Sequence, residues 1–152
     1  MRGDILLFLG LVIVIGGGVI AAVILLWGSG GGGGSGVCDR PLAPLTDSEI
    51  SQDAFQAEDD GLTRVIDTAS AGDLPATQKT FFDEVRSFTY DVDQPLREKD
   101  EELARELCEA VNSIEEELTV NQRADRVASM ATRIRELIRD AAEALGYARP
   151  GE

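Results

Sequence analysis

Residues 81–118 read FFDEVRSFTYDVDQPLREKDEELARELCEAVNSIEEEL, and whether they form one helix or two sets the helix count of the whole domain. Phe81, Phe82, Val85, Phe88 and Val92 recur at helical spacing, and Leu96, Leu103, Leu107, Val111, Ile114 and Leu118 continue the stripe. The phase hardly changes across Pro95, which suits a single kinked rod of about 40 residues. Length argues for two helices instead. A rod that long would overhang its partners, whereas four pieces of about 25, 17, 24 and 26 residues match one another. Proline also disfavours helix in the residue before it. The expectation is a break at residues 91–95, with Asp93 capping the next helix.

The flanking segments supply the other two helices. Thr46-Asp47-Ser48-Glu49 has the form of a capping box, with Leu45 and Ile50 as a hydrophobic staple across it. Ile50, Ala54, Ala57, Leu62, Val65 and Ala69 follow at helical spacing, Gly61 is a candidate bend, and Gly72 suits a left-handed C-cap. The second helix starts near Pro75. Asn121 is the expected cap of the last helix, whose stripe is Val127, Met130, Ile134, Leu137, Ile138, Ala141 and Leu145, closed by Gly146 and Pro150. No hairpin or alternating pattern predicts a strand. The expected fold is all-α, an antiparallel up-down-up-down four-helix bundle over residues 37–152. In helix number and patterning it resembles the extracytoplasmic bundles of the cytochrome c′ type. Their CxxCH haem-attachment motif is missing, so no haem function follows from the likeness.

Upstream, residues 5–27 read ILLFLGLVIVIGGGVIAAVILLW, without a charge. A helix of that length spans about 34 Å, enough for a bilayer core of about 30 Å. Arg2 and the amino terminus are positive and the next basic residue is Arg40, so the N-terminus is expected in the cytoplasm and the bulk outside. The segment reads as an uncleaved signal-anchor of a single-pass cell-membrane protein, longer than a usual signal-peptide core. Gly17 with Ala21, and Gly18 with Ala22, form a small-residue face on which a second membrane helix could pack, from a membrane-protein partner or another copy. Residues 28–36 contain only Gly and Ser and read as a flexible tether.

The chain carries 28 Asp+Glu against 14 Lys+Arg, a formal net charge of −14. Apart from Arg2 and Asp4, all of them follow the tether. Such a domain would repel nucleic acid and an anionic leaflet. With no His and only two Cys, Ser-His-Asp and Cys-His catalysis, zinc knuckles and iron–sulfur sites are excluded. No nucleophile has a recognisable base, so neither an enzyme nor a cofactor is expected. Outside the cytoplasm Cys38 and Cys108 are expected to pair; the alternative is two free thiols, with Cys108 filling core space. Asp91 and Asp93 are candidate oxygen ligands for a divalent cation, although the EF-hand glycine and distal Glu are absent; the competing role is helix capping. Phe81, Phe82, Phe88 and Tyr90 read as core rather than a ligand pocket. Glu101 with Arg105, and Arg139 with Glu143, are expected surface pairs. The function expected is a membrane-tethered, non-catalytic accessory or interaction module. The alternative is a carboxylate-based cation-binding module associated with a transporter.

Overall fold

A computed structural model describes residues 36–151. The expected membrane helix at 5–27 and all but the last residue of the tether lie outside them. Among the described residues there are four helices and no strand, and none of these helices is long and apolar enough to cross a membrane. A single 3₁₀ turn, Val37–Asp39, opens the domain. Helix α1 is Gln52–Ser70. Helix α2 joins an α segment, Leu74–Thr80, a π segment, Phe81–Val85, and a second α segment, Arg86–Arg97. Helix α3 is Glu101–Glu116, prolonged by a π segment, Glu117–Asn121. Helix α4 is Ala124–Ala144.

Each helix packs on its chain neighbours, and α4 closes the ring against α1. The α1/α2 seam is antiparallel: Phe55 meets Phe88, Arg64 meets Glu84, and Thr68 meets Thr77. Phe55, Leu62, Val65, Phe81, Val85, Leu96, Leu107, Ile114, Leu118, Ile134, Leu137 and Ile138 are fully buried between the helices. Gly72 ends α1 with φ +76°. Its N–H reaches the Ala69 carbonyl and the Asp73 N–H that of Thr68, the paired bonds of a Schellman cap. Gly146 closes α4 the same way, through Glu143 and Ala142.

Four local expectations need correction. First, α1 begins at Gln52, not at Thr46. Ser51 is the cap, its Oγ accepting from the Ala54 N–H at 3.2 Å. Leu45 is 48% exposed and staples nothing; its N–H and that of Thr46 are taken by Asp91, so those residues are unavailable to a helix.

Second, α2 runs through Pro95 to Arg97, and the break falls at residues 98–100. Pro95 sits in the last turn, with two helical residues after it, and its missing N–H costs one helical bond. Asp100 caps α3, with Oδ1 accepting from the Leu103 N–H at 3.0 Å. Asp93 does not cap, because its carboxylate is held by Leu42 and Arg97.

Third, Asn121 does not cap α4. It ends the π segment; Gln122 turns left-handed at φ 54° and Arg123 precedes the helix without a side-chain cap. Fourth, the inward face of α1 carries Phe55, Glu58 and Asp59 besides the expected Leu62, Val65 and Ala69, whereas Ala57 is exposed. Two carboxylates on the buried face disguised it as the polar one. α1 also runs unbroken through Gly61; a Cβ there would stand 3.1 Å from Val85 Cγ2, so the glycine permits close approach to α2.

Candidate functional site

The most elaborate polar construction is the place where the chain enters the bundle. Residues 40–51 form no helix and cross α2 as a strap. An extended strap leaves backbone N–H groups without partners in its own segment, and these must be satisfied from outside. The last turns of α2 supply the acceptors. Asp91 Oδ1 accepts from the Leu45 N–H at 2.8 Å and the Thr46 N–H at 3.0 Å, while its Oδ2 accepts the Thr46 hydroxyl. Asp93 Oδ2 accepts from the Leu42 N–H at 2.8 Å and from Arg97 Nε at 2.8 Å. Arg97, one turn further on, donates Nη2 to the Cys38 carbonyl at 2.7 Å.

Beyond α2 the strap reaches α3. Cys38 and Cys108 stand at disulfide distance, with S–S 2.07 Å and Cα–Cα 5.7 Å across a sequence separation of 70. Asn112 Nδ2, one turn after Cys108, lies 3.0 Å from Cys38 Sγ. Both sulfurs are buried. The strap is therefore held by three α2 side chains and by α3, and the first residues of the domain are locked to its flank.

Asp91 and Asp93, the candidate cation ligands, both belong to this hydrogen-bonded set. Their oxygens face backbone N–H groups, a hydroxyl and a guanidinium. Among the described residues no group of three or more His, Cys, Asp or Glu is arranged to hold a metal ion. The aromatic set is packing: Phe81 meets Phe82 edge-on at 5.3 Å, Phe55 joins Phe88 at 5.0 Å and Tyr147 at 5.3 Å, and Arg86 lies 5.0 Å above the Tyr90 ring. The small-residue pairs Gly17/Ala21 and Gly18/Ala22 lie outside the described residues.

A second cluster was not anticipated from the sequence. Asp59, 1% exposed, receives Arg135 Nε and Nη2 at 2.8 and 2.7 Å and Arg139 Nε at 2.9 Å, tying α1 to α4. Burial pushes this carboxyl up, but the two guanidinium groups outweigh it and hold Asp59 below the usual carboxylate range. Arg139 also bonds Glu136, and Glu143 pairs with Arg149 rather than with Arg139 as expected. The C-terminal tail lies over this cluster. Gly151, φ +77°, has space for no Cβ: one would stand 2.7 Å from Arg139 Nη2 and 2.9 Å from Asp59 Oδ2. The tail is stitched to α1 by Tyr147 Oη to the Ile50 carbonyl, by reciprocal bonds between Gln52 and Ala148, and by the Gly151 N–H to Gln56. Glutamines four apart on α1 were the only sequence signal, and the same spacing describes any solvated helix face.

The strap can be tested directly. Asp91→Ala leaves the part-buried Leu45 and Thr46 N–H groups without their acceptor, while the Thr46 hydroxyl keeps Ser48, and is expected to lower stability by about 1–3 kcal/mol. Proteolysis within residues 40–50 should accelerate, while Asp91→Asn, which keeps an acceptor oxygen, should fall between. Unchanged cleavage in Asp91→Ala would show that the strap is held elsewhere. Compared with protein-family models, with curated proteins and with solved structures, the chain matches none.

Proposed function

We propose that the protein is a single-pass membrane protein in which residues 5–27 span the bilayer with the N-terminus cytoplasmic, residues 28–36 form a tether, and the acidic four-helix domain works outside the cytoplasm as a non-catalytic accessory or interaction module. One observation carries this reading: two cysteines 70 residues apart stand at bonding distance where the expected tether meets the domain. Disulfides persist in oxidising compartments, which agrees with the orientation argued from Arg2 and the amino terminus. The tether raises the domain's local concentration at the surface without coupling it rigidly to the membrane helix. The membrane helix offers its partner the face of Gly17, Gly18, Ala21 and Ala22. The cation-binding alternative loses support at Asp91 and Asp93, whose oxygens hold the strap.

In membrane fractions the full chain is expected to resist alkaline extraction. Protease added outside intact cells should remove a C-terminal epitope, and thiol alkylation should require prior reduction. A soluble, protease-protected chain with two alkylatable thiols would overturn the proposal. Crosslinkers at Gly17 or Ala21 are expected to trap a second membrane helix, and a solitary monomer would count against the partner.

A further inference from the structure

The α1/α2 seam gathers several weak features within two turns. Gly61 lies mid-way along α1, where glycine is a poor helix former. Opposite it stands Val85, the last residue of the π segment of α2. Nearly two turns towards the N-terminus of α1, Phe55 packs on Phe88. Between these two contacts lies Glu58, 2% exposed, whose Oε1 is buried without a hydrogen-bond partner. Thr89, one turn beyond Val85, has its buried hydroxyl likewise unpartnered.

The charges of the surrounding elements are committed elsewhere. Asp59, next along α1, is held by Arg135 and Arg139 of α4. Arg64 of α1 pairs with Glu84 of α2 at the solvent edge. Arg86 of α2 pairs with Glu115 of α3. The tail's Tyr147 hydroxyl donates to Ile50. Arg149 of the tail pairs with Glu136, Asp140 and Glu143 of α4, and among the described residues no donor stands within hydrogen-bond distance of Glu58 Oε1.

We propose that Glu58 is a proton-operated switch: the folded domain holds its carboxyl as the neutral acid, and release of that proton to solvent opens the seam between α1 and α2. An ionised Glu58 would be an unpaired charge in the core beside ionised Asp59, and a buried charge without a partner is strongly disfavoured. Local separation where Gly61 and the π segment meet is the least costly way to hydrate it. Burial pushes the Glu58 carboxyl well above the usual carboxylate range, in keeping with the geometry. The stability that the neutral form contributes is whole below the unfolded-state carboxylate range and is lost as pH rises from there towards the folded pKa.

The test compares the full chain with Glu58→Gln in detergent micelles. Urea unfolding from about pH 5 to about pH 8 should show the ratio of unfolding constants, wild type over variant, rising at least tenfold, since one unit of pKa separation is tenfold. Repacking around glutamine adds only a pH-independent offset. A flat or falling ratio overturns the proposal. Amide exchange supplies the local readout: protection at 58–62 and 85–89 should fall with pH relative to Glu58→Gln, with smaller change at 111–114 and 134–138. Equal loss in all segments overturns the local opening. Should the variant fail to fold, the carbon-13 shift of the wild-type Glu58 carboxyl decides: an ionised signal at about pH 6 overturns the proposal.

Discussion

Replacing Cys38 and Cys108 together by alanine is expected to lower the stability of the domain by about 4 kcal/mol. The residues are 70 apart, and closing a loop of that length restricts the unfolded chain by about that amount at room temperature. The native state also loses a fixed point. Arg97 reaches the Cys38 carbonyl, and Asn112 lies against the Cys38 sulfur, so both partners depend on where Cys38 is pinned. Alanine avoids burying a new hydroxyl at Cys108, which is 1% exposed. The urea midpoint of the oxidised protein should drop on reduction to that of the double variant, and unreduced denatured protein should show no free thiol. Equal midpoints with and without reductant would remove the bridge from the stability argument.

The second large effect is expected at Asp59. Asp59→Ala deletes the acceptor of three guanidinium bonds from Arg135 and Arg139. Removing one partner of a buried ion pair typically costs about 3–5 kcal/mol, because the remaining charge is left uncompensated. The lower end applies here: the Arg135 and Arg139 side chains keep 27% and 16% of their exposure, and Arg139 retains Glu136. Asp59→Asn should cost less, since one oxygen still accepts. The pH dependence provides a second readout. The folded pKa of Asp59 lies below its unfolded value, so its contribution is present above the unfolded value and is lost as pH falls through the folded one. The alanine variant should therefore lose part of the wild type's acid-side instability. An Asp59→Ala protein as stable as wild type, with the same acid limb, would mean that the two arginines find equivalent partners.

Asp59 and Glu58 are consecutive and buried, yet they are pushed in opposite directions. The difference is one of direction along a helix. Residues 100° apart on α1 face different neighbours: Asp59 meets the arginines of α4, whereas Glu58 points into the core where no cation stands. Nothing in the dipeptide foretells which acid is paired. Hydropathy found Leu62, Val65 and Ala69 of the inward face of α1 but placed Ala57 there instead of Phe55, Glu58 and Asp59, because a buried turn carrying two carboxylates looks like a solvated one.

The helical segments themselves were legible. Apolar residues three and four apart gave all four helices, and Gly72 and Gly146 marked helix ends because only glycine adopts their positive φ without strain. The pairing of Cys38 with Cys108 was legible from there being two cysteines in one small domain. What misled was short polar sequence. Thr46-Asp47-Ser48-Glu49 has the form of a cap and Asp93 that of another, yet tertiary contacts 45 to 51 residues away in sequence claimed the Leu42, Leu45 and Thr46 N–H groups and the Asp91 and Asp93 carboxylates.

The sequence by itself therefore determined an all-helical domain of four helices, through the periodicity of its apolar residues and its glycines, which act locally and need no partner to be read. The tertiary structure alone decided where α2 ends, what Asp91 and Asp93 hold, and which of two neighbouring acids meets the arginines. Capping, strap and ion pairing are all settled by competition among hydrogen-bonding groups brought together from distant parts of the chain, and the winner depends on distances that exist only once the helices have packed.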